Sequence, residues 1–586
     1  MAPKIRETYL ISDGPFAEAV EVIDRSQPHL LLAKWRRDQP GSETFGGGYT
    51  IRSVLILMLA DIIATSRVPT MAHLIRSYGS LTDRHLTDLG LPPDLPARIS
   101  KHRAREYHRF YAGLTRVIET LDSGARLPAR RMTNREHEAV LADLTSEEQA
   151  AAAAAAERSR MIVNVILAGS IKDRCPDRLR GDVVADETIL DLAKGGEIGS
   201  KPDRLRAAAY CGRFYVRDKR NQVSAPGKKA ISKAAFGIGV TALTRVGPPN
   251  ALHSVPPLFV GLDIHPPTSG DVGALRNALD HATANGLLPA RTSDRPQRPL
   301  LTVDMGYSVK SGWQRLLQDY RLDGVARYPA SWKLAWTSQP TTKGIPAGPI
   351  QVAGAFYCPA VKSLIRENNH VPVLSKLLAD AAFKTHDDYL VRVLPLLMGR
   401  NSRLYEGRNR AGRPSLSEQT STAYKIDLVC PAALGNVACP LKPESLTASR
   451  PGAPLVEPTW KASDYACCAN SSVTVTLTDN QLRMWQGGPV PGTWKHAILY
   501  EAMRALTEQR FSRVKSTDGA GLADLKSGAR REPFIALTIA MAFAAVNVET
   551  QRHFDARRGR PNDLDVKLRT LRDDIGREPA QPPALT

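Results

Sequence analysis

Three acidic residues stand where this sequence could do chemistry. Asp186 follows the short apolar run 183–185 in GDVVADETI, and Asp304 follows 300–303 in LLTVDMGYS. An acid at the end of an apolar strand leaves the packed sheet and faces solvent, which is where open α/β sheets place functional groups. Glu508 lies on a helical stretch, YEAMRALTEQRFSRVK. At about 100° per residue, Arg504 sits roughly 40° behind Glu508 and Lys515 roughly 20° behind it. These three therefore share one face. Carboxylates are hard ligands for a divalent cation, and flanking cations can hold phosphate. Taken singly, an acid after a strand is more often a turn former or helix cap, and a charged helix face is more often plain surface. Glu501 lies on nearly the same face and competes with Glu508 as a ligand.

The elements that must position these acids are legible from periodicity. Apolar residues recur every three or four positions from Thr50, through Ile51, Val54, Leu55, Met58, Leu59 and Ile62, which predicts a helix after the Gly46-Gly47-Gly48 hinge. Further helices are expected at 70–78 and at 81–89, the latter closing on Gly90. A longer basic helix follows, carrying Arg98, Lys101, His102, Arg103, Arg105, His108 and Arg109. Short helices before a basic one suit a helix-turn-helix-like DNA reader, though an ordinary bundle with a basic face has the same pattern. Thr145-x-x-Glu148 opens a helix through the alanine run to Ile166.

Beyond it, strand patterns at 183–185, 236–243, 258–264, 300–303 and 324–328 interleave with helical ones at 271–285 and 311–320. Three meandering strands followed by crossover units build a mixed sheet with helices for both faces. That is the element order of an RNase H-like core, in which the first and fourth strands, with Asp186 and Asp304, would lie side by side. Residues 331–490 break the rhythm with Pro, Gly and isolated strand signals at 351–357, 423–428 and 473–477. An inserted, mostly β subdomain is expected there, since a structureless loop of that length is improbable. Helices resume at 494–514 and 534–546, and the tail reads as loose. The fold class is thus α/β: an RNase H-like catalytic core (146–330 and 491–555), a β-rich insertion (331–490), an N-terminal helical DNA-binding region (1–145) and a basic, Pro-rich tail (556–586).

The chain has 586 residues, with 79 Lys and Arg against 59 Asp and Glu, a formal charge of +20. The excess makes a polyanion the leading partner, because neutralising phosphates releases condensed counterions. No run approaches the roughly 18 apolar residues needed to cross a bilayer, the N-terminus lacks an export signal, and seven cysteines are too few for a disulfide framework. A cytoplasmic protein is expected.

The three segments together resemble the DDE transposases of bacterial insertion sequences, in the branch with a β insertion before the last acid. Those carry Asp-x-Thr after the first strand, here Asp186-Glu187-Thr188, and Asp-x-Gly-Tyr after the fourth, here Asp304-Met305-Gly306-Tyr307. Their last helix carries Tyr, Arg, Glu and Lys in fixed steps; Arg504, Glu508 and Lys515 match, with Phe511-Ser512 between, while Tyr500 stands one position farther from Arg504. Residues 49–120 resemble the N-terminal domain more loosely.

The resemblance implies two Mg²⁺ (or Mn²⁺) ions held by Asp186, Asp304 and Glu508. It implies phosphate contacts from Tyr500, Arg504, Lys515 and Tyr307, and DNA contacts from Arg98, Lys101, Arg103, Arg105 and Arg109. Cleavage at terminal inverted repeats, strand transfer into target DNA, a homodimer holding both ends and a bacterial nucleoid location follow from it. A nuclease without strand transfer, and a decayed or recruited transposase that only binds DNA, are the rival readings.

Other signals point less far. Trp332 and Trp336 stand in the insertion, where similar transposases stack a flipped base, although tryptophan is more often core. Asp263 and His265 read as turn residues. Cys430, Cys439, Cys467 and Cys468 lack CxxC spacing, so buried thiols are expected rather than structural zinc.

Overall fold

The computed structural model describes residues 11–36, 48–128, 130–193, 201–218, 231–267, 271–289, 298–329, 331–341, 343–365, 377, 380–408, 422–527, 530–556 and 563–585. The expected Gly46-Gly47 hinge and the Arg557–Pro561 stretch lie outside them. The protein is mixed α/β and divides into two compact units. One comprises residues 1–247, 254–290 and 506–560; the other comprises 248–253, 291–505 and 561–586.

The first unit opens with helices. Asp13–Ser26 and Pro28–Trp35 fall in a stretch whose sequence shows no clear period. Ile51–Thr65, Met71–Ser80 and Asp83–Asp88 follow where the spacing predicts them, each with a threonine hydroxyl accepting from the third backbone N–H, which satisfies an otherwise orphaned donor. The expected basic helix starts later, at Arg103–Ile118, because Pro96–Arg98 and Ser100–His102 coil into separate 3₁₀ turns. A further helix, Asn134–Ala142, follows, and Ser146–Gly169 begins on the predicted Thr145–Glu148 capping box.

The sheet of this unit is built on one long strand. β1 (Val183–Asp191) pairs antiparallel with the second half of β3 (Ile231–Arg245). β2 (Arg213–Asp218) and β4 (Phe259–His265) share the opposite edge of β3. The outer edge of β4 is closed by two asparagines. Asn164, from helix Ser146–Gly169, donates to the Leu262 carbonyl (2.9 Å) and accepts from its N–H (2.8 Å). Asn547, from helix Glu532–Ala556, does the same at Phe259, at 2.9 Å each way. A buried edge has no water to satisfy its backbone, so the amides take that place.

Helix Glu532–Ala556 is longer than the expected 534–546. By length and composition it is apolar enough to cross a membrane, although its apolar run is interrupted by polar residues. However, 94% of its 18-residue apolar window is buried inside the protein. It is the central core helix, with Ile535, Ile539 and Phe543 wholly enclosed.

In the second unit, β5 (Leu300–Val303) pairs in parallel with β6 (Asp323–Val325) through helix Trp313–Asp319. The mostly β insertion contains a meander of β7 (Ala335–Thr337), β8 (Ile350–Val352) and β9 (Ala355–Tyr357). The expected single strand at 351–357 is thus a hairpin. Its turn residues, Ala353 and Gly354, both have positive φ (47° and 81°), as a two-residue turn that follows the strand twist requires. A second sheet orders β10 (Gly399–Arg400), β12 (Thr422–Val429) and β11 (Tyr405–Arg408), with β13 (Ser472–Thr476) also paired to β12. Helix Phe383–Val393 was not foreseen.

The tail is not loose. Residues Asp563–Ile575 form a helix that buries Leu564, Leu571 and Ile575. The chain beyond it is pinned at Asp387, whose carboxylate has no solvent exposure. Asp387 accepts from two Arg577 nitrogens, Nε and Nη2 (3.0 and 2.8 Å), the Ala580 N–H (2.8 Å) and the Trp494 indole (2.9 Å). Burial opposes its charge, but these donors together hold its pKa below the usual carboxylate range.

Two stability outcomes follow. Asn547→Leu strands a buried N–H and a buried C=O on β4, so chemical denaturation should report a loss of about 2–4 kcal/mol. Asp387 has a depressed folded pKa, so its contribution is present above the unfolded value near 3.9 and fades as pH falls toward the folded one. Asp387→Asn should lower Tm at pH 7, and the gap to wild type should close in acid below about pH 3–4.

Candidate active site

Asp186 lies within β1 rather than at its end, because the strand continues to Asp191. It sits opposite Ala242 and accepts from the Glu187 N–H at 2.9 Å. Strand alternation sends Glu187 to the other face, where it reaches over Gly239 beside His265; a Cβ at 239 would come within 2.5 Å of the Glu187 carboxylate.

Asp263 and His265 belong to that second face and are not turn residues. His265 Nδ1 donates to the Pro266 carbonyl (2.9 Å), which leaves Nε2 to accept from Thr241 (2.9 Å). Asp263 accepts from Asn277 (3.2 Å), and burial raises its pKa to about 6.

Asp304 does end its strand. It caps the short helix Met305–Ser308, accepting from Gly306 N–H at 3.0 Å, and its other oxygen stands 3.9 Å from Arg504. Its side chain is 41% exposed. Tyr307, three residues on, is buried.

The helix that carries the last acid runs from Trp494 to Lys515. Its residues through Ala505 belong to the second unit and those from Leu506 to the first. In the second unit, Met503 receives a hydrogen bond from Thr302 of β5 (3.2 Å). His496 hydrogen-bonds Gln486 (3.2 Å), whose amide grips both backbone groups of Ala326. Burial drives the His496 pKa down to about 4, so it is neutral there. In the first unit, Phe511 stacks on Phe259 of β4 with ring centres 5.7 Å apart and meets Phe543 edge-on. Arg510 donates to Thr550 (2.8 Å), and Arg513 pairs with Glu549. These contacts set the rotation of the helix and leave Glu508 exposed.

One turn before Glu508, Arg504 donates to the Tyr500 hydroxyl (3.1 Å) as well as facing Asp304. Tyr500 is buried to 3% exposure, and burial raises its pKa. Its hydroxyl is therefore committed to orienting Arg504. Arg327 completes the group: its guanidinium lies 4.5 Å over the Tyr500 ring and pairs with Glu501 at 2.8 Å. The sequence places Arg327 inside an expected strand at 324–328; β6 stops at Val325, so Arg327 stands two residues beyond its end. Glu501, the competing ligand, is the partner of Arg327. Lys515 lines a cavity of about 250 Å³ with Lys526, Asp191 and Tyr215.

The remaining candidates divide. Arg98 is tied to Asp83 (2.7 Å) and the Pro93 carbonyl, and Arg103 to the Ala97 carbonyl (3.1 Å), so both hold turns together. Lys101 is exposed, while Arg105 and Arg109, 63% and 46% exposed, flank the buried Glu106. Trp332 already carries the Arg483 guanidinium on its ring at 3.6 Å, and Trp336 has Lys333 at 4.7 Å. Five thiols, Cys358, Cys430, Cys439, Cys467 and Cys468, sit in the core of the second unit.

Asp186, Asp304 and Glu508 are all carboxylates, the hard oxygen donors that Mg²⁺ and Mn²⁺ favour. Among the described residues, no three His, Cys, Asp or Glu side chains gather as a ready-made metal group. Mg²⁺ is usually held by one or two carboxylates together with waters and substrate phosphates, so donors of this type match its chemistry.

The Arg327 pairing yields a direct expectation. Glu501→Gln removes the acid from that pair and should lower Tm, and Arg327→Met should lower it by a similar amount. In the double variant the two losses should fall short of their sum, since both remove one interaction. No protein-family model matches the chain, and no curated protein matches it.

Proposed function

We propose that the protein is a DDE-type transposase with an RNase H-like catalytic core. Asp186, Asp304 and Glu508 are its metal ligands, two Mg²⁺ or Mn²⁺ ions its cofactor, and double-stranded DNA its substrate. The observation that carries the reading is the ion pair of Asp304 with Arg504, an arginine one turn from Glu508 on the same helix. It ties a strand-end acid to the helix that bears the last acid, and it supplies the cation that a phosphate would need. The antiparallel β1, β3 and β4 followed by the parallel β5 and β6 support the core assignment.

In this reading Asp186, Asp304 and Glu508 would hold the ions. Bound divalent ions supply activation of the attacking oxygen and neutralise charge on the leaving one. The chain's own residues do the positioning. Arg504, held by Tyr500, presents its guanidinium to the scissile strand, and Lys515 holds a neighbouring phosphate.

In the first reaction, water attacks a phosphodiester at the element end. The P–O3′ bond breaks, giving a 3′-OH and a 5′-phosphate. In the second, that 3′-OH attacks a target phosphodiester, forming one P–O bond while one breaks, and a target 3′-OH leaves. Two copies of the chain would hold two ends together, and the exposed Lys101, Arg105 and Arg109 would add contacts to the duplex.

The test uses DNA carrying the sequences that flank the reading frame on both sides. Wild type should cut it only with Mg²⁺ or Mn²⁺ and should join a pre-cut 3′-OH end to plasmid DNA. Glu508→Gln should abolish both activities while binding the ends nearly as wild type does, whereas Glu501→Gln should still cut. Normal cutting by Glu508→Gln would remove Glu508 from the site and sink the mechanism. Cutting without joining would make the protein a nuclease.

A further inference from the structure

A second group of cations in the first unit has no role in the chemistry above. Residues 132–134 zip against 204–206: Arg206 N–H donates to Met132 (2.7 Å), Asn134 N–H to Arg204 (3.0 Å), and Thr133 faces Leu205 in an antiparallel bridge. This short ladder places Arg204 and Arg206 on one side, two residues apart, with Arg131 at its edge. Arg213, which opens β2, lies close by.

The nearby charges sort into two sets. Arg126 pairs with Asp143 and Glu148, Arg130 with Glu136, and Arg135 with Asp203. Among the described residues, Arg131, Arg204, Arg206 and Arg213 have no such acid. Arg206 is the telling member. It is partly buried, and burial together with the like charge of Arg213 lowers its pKa, with only Glu138 acting the other way. The buried His137 beneath it is likewise pushed down, first by burial and then by Arg206. The like charge of Arg213 acts on Arg206 with only Glu138 opposing it, and an arriving anion would relieve that repulsion.

We infer that Arg206 and Arg213, with Arg204 and Arg131 alongside, form a second nucleic-acid surface that grips successive backbone phosphates. The ladder favours a polyphosphate chain over a lone anion. Two residues of extended backbone separate Arg204 from Arg206 by about 6.6 Å, close to the step between neighbouring phosphates on one strand. Arginine also suits the geometry, since its planar fork meets two phosphate oxygens at once. The inference rests on the DNA-processing reading and extends it to a surface that contacts duplex away from the chemistry.

The experiment measures binding of the full chain to a labelled duplex of arbitrary sequence across a salt series, with Tm measured alongside. Each phosphate contact adds about 0.9 to the slope of log K against log salt. Arg206→Gln with Arg213→Gln should therefore weaken binding at least tenfold at low salt and lower the slope by about 2. Tm should stay level or rise, because a like-charge contact has been removed. Arg206→Lys with Arg213→Lys should retain most of the slope. An unchanged affinity and slope would overturn the inference while leaving the transposase reading intact. A fall in Tm with an unchanged slope would overturn it too, by making the arginines structural. If wild type binds no duplex at any salt, both readings fail together.

Discussion

The candidate site depends on the charge balance along one helix. Carboxylates that are to work beside phosphates repel them unless cations are built in, and water screens such a balance poorly once a substrate covers it. Helix Trp494–Lys515 meets that constraint by spacing. Tyr500, Arg504 and Glu508 follow one another at single-turn intervals, so the tyrosine holds the arginine and the arginine faces both Asp304 and the next turn. Arg327 then accounts for Glu501, the one nearby acid that would otherwise upset the balance. The helix can carry this arrangement only if its rotation is set, and Phe511 against Phe259 and Met503 against Thr302 set it from its two halves.

The sheet of the first unit shows the same economy. Period-2 alternation gives β1 two polar faces at adjacent residues. Asp186 looks one way, half-buried. Glu187 looks the other, into a buried polar group of Thr241, His265 and Asp263 that only the missing side chain of Gly239 makes room for. Buried polar groups of this kind are stable because each finds a partner. The asparagines that close β4 follow the same rule applied to backbone.

Much of the fold was readable beforehand, and the misses have physical causes. Helices with a threonine cap and a 3.6-residue apolar stripe, such as Ile51–Thr65 and Ser146–Gly169, start within a residue of the expected position, because cap and stripe are local signals, and run three residues past the expected Ile62 and Ile166. β5 was placed to the residue. β2 was not seen, since a short strand with charges at both ends, Arg213–Asp218, alternates too weakly. Asp186 was put at a strand end because the apolar run stops there; β1 continues because β3 supplies partners as far as Asp191. The tail looked loose because proline-rich chain has no period, and its anchor, Asp387, is nearly two hundred residues away.

Local chemistry therefore carried the identities of the acids, the cations that share a helix face with Glu508, and the alternation of strands and helices, since all of these are written within a few residues of one another. The commitment of Tyr500 to Arg504, of Arg327 to Glu501 and of Arg98 to Asp83 could not be read that way. Nor could the action of the Arg213 charge on Arg206. Whether a charged side chain is spoken for depends on which partner the fold brings to it, and those partners come from segments that the linear order keeps apart.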